Sequence, residues 1–143
     1  MIFKRHAKKL VAGLFAVVVA FTMTGCGSNP LLKAYQDALA DANTTLAEAK
    51  DLVAIPNATA ITDDLVLPTK VMRDGWEVNV SWASNNPAVI TTGGIVTRPS
   101  TNTNVTLTAT LNYLYAYGGT DTPQAAVQVA DTKVFTLTVV AAD

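Results

Sequence analysis

Side chains that can transfer a proton, hold a metal or attack a carbonyl are sparse in this chain. The single histidine, His6, lies in the amino-terminal segment, so Ser-His and Cys-His catalysis and imidazole metal ligation are missing from everything that follows. Cys26 is the only cysteine, which rules out an intramolecular disulfide. Asp63 and Asp64 are adjacent in a stretch that reads as a strand, so their carboxylates point to opposite faces. A glycosidase needs two carboxyls held across one sugar-binding cleft. Asp63, Asp64, Asp121 and Asp131 carry oxygens of the kind calcium takes, but they show no ligand-loop spacing and read better as solvated turn acids. The chain is therefore read as non-enzymatic, with no catalytic, cofactor-binding or metal-binding residue.

Four aromatic residues are the remaining candidates for contact with a ligand: Trp76, Tyr113, Tyr115 and Tyr117. The tyrosines alternate, so in a strand they share one face, where exposed rings stack on sugars or on protein partners. The competing reading is that they continue the inward face of the strand before them. The register runs through without interruption, which favours the core reading.

The elements that must position these residues begin after residue 25. Lys4, Arg5, Lys8 and Lys9 precede an apolar run from Leu10 to Met23. A basic start and a short apolar core are the pattern of a secretory signal, and the run falls short of the roughly 20 residues that a spanning helix needs. Met23-Thr24-Gly25-Cys26 at its end resembles the lipobox of bacterial lipoproteins. The resemblance implies cleavage after Gly25, a diacylglyceryl thioether on Cys26, and often a further acyl chain such as palmitate. Two or more chains anchor stably, at about 0.8 kcal/mol per buried methylene. The expected location is the outer leaflet of a bacterial membrane, at the cell surface.

Formal net charge over the 143 residues is −1. Four basic residues precede Cys26 while all the acids follow it, so the processed chain keeps six basic against eleven acidic residues, a formal −5. Such a chain is a poor nucleic-acid ligand, and the lipid must supply the membrane attachment.

Ser28 and Asn29 are candidate N-caps, and Pro30 fits a first helical position. Leu32, Tyr35, Leu39, Ala42, Leu46, Ala49 and Val53 then recur every three or four residues, one stripe of a helix that Pro56 ends. The stripe either packs on the following domain or belongs to a stalk, reaching up to about 35 Å if upright. Ile61 to Leu67 reads as a first strand, and Lys70 to Gly75 as a polar turn. Val78, Val80 and Trp82 then alternate with polar residues, which puts Trp82 in the core. Turns follow at Ser84 to Pro87 and at Gly93-Gly94, with short apolar pieces around the second. Val105 to Leu111 alternates most cleanly, and Tyr113 to Tyr117 extends it. Ala125 to Ala130 reads as an extra strand and Phe135 to Val139 as the last. Short strands at regular turn spacing predict a mainly β chain, a β-sandwich preceded by one amphipathic helix.

Leu67-Pro68, Val80-Ser81-Trp82, Ser84-Asn85-Asn86-Pro87, Gly94-Ile95-Val96-Thr97-Arg98-Pro99, Val105 to Thr110 and Phe135 to Val139 together resemble the atrophied bacterial immunoglobulin-like domain. The resemblance covers about residues 60 to 141. It implies a reduced immunoglobulin-like sandwich and an accessory module, and it brings no catalytic residues. The organisation read from the sequence is a lipoprotein signal peptide over 1–25, a lipid anchor and helical spacer over 26–56, and the immunoglobulin-like domain over 57–143. The function read from it is a non-catalytic structural or interaction module on the bacterial surface, touching a cell-envelope protein or glycan. The alternative is a carbohydrate-binding module, with an enzyme disfavoured.

Overall fold

A computed structural model of the chain describes residues 29–118 and 124–143. The segment read as a signal, Cys26 and Asp121 lie outside the described residues. Helix α1 (Pro30–Leu52) precedes four strands, β1 (Lys70–Arg73), β2 (Trp76–Ser84), β3 (Thr103–Tyr117) and β4 (Ala125–Val139). Asn29 caps α1 by accepting from the Leu31 N–H at 3.0 Å, and Pro30 takes the first turn, where no donor is needed. The helix stops short of Pro56. Val53 turns to extended backbone and is fully buried, so the chain leaves the helix to place that side chain in the core.

The strands form one antiparallel sheet in the order β1-β2-β3-β4. Lys70 to Arg73, read as part of a turn, is in fact a strand paired with Trp76 to Asn79. Asp74 and Gly75, with φ of 48° and 88°, make the two-residue turn between them, and Asp-Gly is well suited to two consecutive positive φ values. β3 and β4 pair over their whole length, from Thr103↔Val139 to Tyr117↔Ala125. The two pieces read from the sequence are therefore one strand. Asp131 and Lys133 had broken its apolar period, because both point inward and neither is apolar.

Both charges are absorbed by α1. Lys133 Nζ donates to the Lys50 and Val53 carbonyls at 2.8 and 2.7 Å, where the helix end leaves oxygens without intrahelical partners. Asp131 accepts from Lys50 Nζ at 2.7 Å. A cation at a helix C-terminus is also favoured by the helix dipole.

One face of the sheet is buried and the other, rich in threonine, faces solvent. Val105, Leu107, Ala109, Leu111 and Tyr113 line the buried face along β3. Two different layers cover it. Ala38, Ala42, Leu46, Ala49 and Val53 of the helical stripe pack on Val78, Val80, Ala109, Leu111, Tyr113, Val127 and Val129. Ile61, Val89 and Ile90, from segments without regular structure, pack on Val105, Leu107, Leu137 and Val139. Half-buried Trp82 and Phe135 touch both clusters, with ring centroids 5.6 Å apart, and Trp82 Nε1 donates to the Pro68 carbonyl at 2.8 Å.

One expectation changes here. Ile61 to Leu67 is not a strand: Ile61 makes a single parallel bridge to Val139, and Val66 is 95% exposed. The segment is held by scattered bonds, from Leu65 N–H to the Gly94 carbonyl and from Val96 N–H to Asp64 Oδ1. Gly94 has a φ of +90°, and a Cβ there would fall 2.1 Å from the Leu65 carbonyl oxygen, so the close approach needs glycine. The helix packs on the sheet, one of the two readings of its stripe. From Ala38 onward its stripe lies in the same core as the sheet, and only residues 30–37 are exposed throughout.

Leu46→Ala is expected to lower the unfolding free energy by about 2 to 5 kcal/mol in one cooperative denaturant transition; a detached spacer would leave sheet melting unchanged. Trp82→Ala is expected to cost about 3 kcal/mol, and a loss below about 1 kcal/mol in the same melt would remove Trp82 from the core.

Candidate functional site

The β2–β3 ladder runs from Asn79↔Asn112 to Ser84↔Leu107, whereas β3 continues to Tyr117 beside β4. Tyr113, Tyr115 and Tyr117 occupy this extension, on the buried face that α1 covers. Tyr113 is 8% exposed and lies beside Thr45 of the helix. The Tyr115 ring sits 6.1 Å from it at 45° and is half-buried. Trp76 is brought alongside by the tight Asp74–Gly75 turn, which places it at the first position of β2.

The result is an open cleft of about 420 Å³ between three elements. Asp41, Thr44 and Thr45 line it from the helix, Asp74, Gly75 and Trp76 from the hairpin, and Tyr113 and Tyr115 from β3. Asp74 is paired with Arg73 at 3.2 Å. A second hollow of about 440 Å³, lined by Met72, Arg73 and Glu77, shares Asp74, Gly75 and Trp76 with the cleft. Aromatic faces beside carboxylates and hydroxyls suit a sugar ring, whose apolar face stacks while its hydroxyls donate to the acids.

Three of the four aromatic candidates thus come together. Tyr117 does not line the cleft and packs beside the helix-covered core. Tyr113 is a core residue, while Tyr115 and Trp76 border open space. Asp74 and Gly75 carried a usable signal, the hairpin dipeptide. Asp41, Thr44 and Thr45 carried none, being polar positions of a helix with no local mark of what faces them.

Of the four acids weighed against a calcium site, the three among the described residues each have a protein partner. Asp63 accepts from Thr62 Oγ1, Asp64 from Val96 N–H, and Asp131 from Lys50. Among the described residues no three His, Cys, Asp or Glu side chains converge.

An antiparallel sheet covered on one face by a helix and irregular segments is consistent with a reduced immunoglobulin-like β-domain. The chain belongs to the family described as the Atrophied bacterial Ig domain, whose model matches residues 40–142. The match begins inside α1, in keeping with a helix that shares the domain core. No curated protein and no solved structure matches the chain.

Burial raises the Tyr113 pKa above the ordinary 10.0, the neighbouring Tyr115 adds to this, and the Thr45 side chain offsets part of it. Because the folded value is the higher, the unfolded chain ionises first. The contribution is complete below the ordinary tyrosine value and is lost as pH rises through the folded pKa. Alkaline denaturation profiles should therefore show stability falling above pH 10, and Tyr113→Phe should reduce that slope. Unchanged slopes would contradict the buried placement of Tyr113.

Proposed function

We propose that this protein is a bacterial surface lipoprotein, anchored through acylated Cys26, that displays its immunoglobulin-like domain as a non-catalytic structural or interaction module. The Met23-Thr24-Gly25-Cys26 motif, at the end of a basic-then-apolar leader and directly before an immunoglobulin-like domain, carries this reading. Family membership supports the module role, and the acidic balance after Cys26 argues against nucleic acid as partner. The partner in this reading is a protein or glycan of the cell envelope.

One observation favours a second reading, a carbohydrate-binding module. Trp76, Tyr113 and Tyr115 meet Asp41 and Asp74 at an open cleft, on elements held rigidly by the sheet and helix. Rigid aromatic platforms lose little entropy when a ligand stacks on them.

Mass spectrometry of the membrane-extracted protein should show an amino-terminal acylated cysteine, and Cys26→Ser should release the chain from the membrane fraction. A chain that keeps residues 1–25, or one found unacylated in the soluble fraction, would defeat the lipoprotein reading. For the second reading, the fragment beginning at Gly27 is titrated with a polysaccharide panel and with isolated envelope. Saturable glycan binding that Trp76→Ala and Tyr115→Ala each weaken tenfold or more makes it a sugar-binding module; binding to envelope protein alone leaves the interaction module.

A further inference from the structure

The apolar stripe of α1 is longer than the sheet that covers it. Leu32 and Tyr35 continue the line of Leu39, Ala42 and Leu46, and Leu31 lies on the same side. Yet Leu31, Leu32 and Tyr35 are 68%, 54% and 42% exposed, and every described residue from Pro30 to Asp37 is exposed. Two helical turns thus present apolar side chains to whatever lies at that end of the domain.

Chain length limits what that can be. Only Gly27, Ser28 and Asn29 separate Cys26 from Pro30, so the helix begins no more than about 14 Å from the Cys26 Cα even if the connection is fully extended. The two exposed turns add about 12 Å of helix before the core begins at Ala38. If Cys26 is acylated, Leu31 and Leu32 cannot be held far from the headgroup region. The side chains suit that zone: leucine enters the acyl boundary, and tyrosine keeps its hydroxyl among the headgroups. Lys33 is paired with Asp37 at 2.6 Å, both well exposed, so the segment carries little net charge towards lipid.

We propose that the first two turns of α1 lie in the membrane interface, with Leu31, Leu32 and Tyr35 buried among lipid, so that the domain rests against the bilayer instead of standing off on a stalk. The proposal rests on the lipoprotein reading. The acidic chain has no electrostatic attraction to anionic lipid, so the acyl chains hold the protein at the surface and the stripe sets its orientation.

The test uses the full-length lipoprotein carrying Leu32→Trp, reconstituted into phosphatidylcholine and phosphatidylglycerol vesicles whose phosphatidylcholine is brominated high on the acyl chain. The added indole should lose most of its emission relative to unbrominated vesicles, while Trp76 and Trp82 in the parent lose little. Leu31→Ser with Tyr35→Ser should abolish the quenching without loss of anchoring. Mass spectrometry and vesicle flotation on the same sample separate the two levels of the argument. An acylated, floating protein whose new tryptophan stays unquenched overturns the interfacial placement and leaves the lipoprotein reading intact; an unacylated chain overturns both. Concentration-dependent dimerisation of the unlipidated fragment, lost in the Leu31→Ser, Tyr35→Ser variant, assigns the stripe to a second copy and likewise overturns the proposal.

Discussion

β3 carries an unbroken row of inward side chains, Val105, Leu107, Ala109, Leu111 and Tyr113, and the whole row has to be kept from water. Each such side chain contributes about 1.5 to 3 kcal/mol when buried, apart from the smaller alanine, so a sheet covered over half its length would not be stable. A full sandwich meets this demand with a second sheet. Here that layer is divided between a helix and irregular segments joined by single bridges. Trp82 and Phe135 close the seam between the halves, because only large rings reach both.

The division brings its own problem, since a helix that ends over a sheet buries carbonyls without intrahelical partners. β4 answers it with Lys133, whose ammonium meets two of those carbonyls, and Asp131, which pairs with Lys50. Two charges that look misplaced in a strand thereby fasten the covering layer to the sheet. They stand near the middle of β4, where helix cover gives way to coil cover, so loss of either half exposes the same region of β3. Helix and sheet should accordingly unfold as one unit, and the helix belongs to the domain rather than to a linker.

The cleft and the uncovered stripe arise from the same mismatch of lengths. β3 and β4 run beyond β2, leaving Tyr115 at a border where the helix, the Asp74–Gly75 hairpin and the sheet meet without filling the space. The helix overshoots in turn, leaving Leu31, Leu32 and Tyr35 without protein cover. The cleft is thus lined by residues of the helix, the hairpin and β3. Three of its polar members, Asp41, Thr44 and Thr45, come from a helix far from the tyrosines in the chain.

Period and turn chemistry were sufficient to determine the mainly β class, the helix with its Asn29-Pro30 start, the inward face of β3 and the place of Trp82, because each depends on spacing within one element. The motif pieces that carried the family resemblance are of the same local kind. The cap at Lys133 was not legible, since a lysine in a strand acquires meaning only from carbonyls about 80 residues earlier. The same reason hid the continuity of β4 and the reduction of Ile61 to Leu67 to a bridged segment. Trp76, Tyr113 and Tyr115 could be named as aromatic candidates, but whether rings on an inward face are covered depends on how far the helix extends over them. Tertiary packing alone decided that Tyr113 is core, that Tyr115 and Trp76 border a cleft with Asp41 and Asp74, and that Tyr117 is set apart. Sequence spacing determines which way a side chain points along its own element; only the assembled layers determine what it meets there.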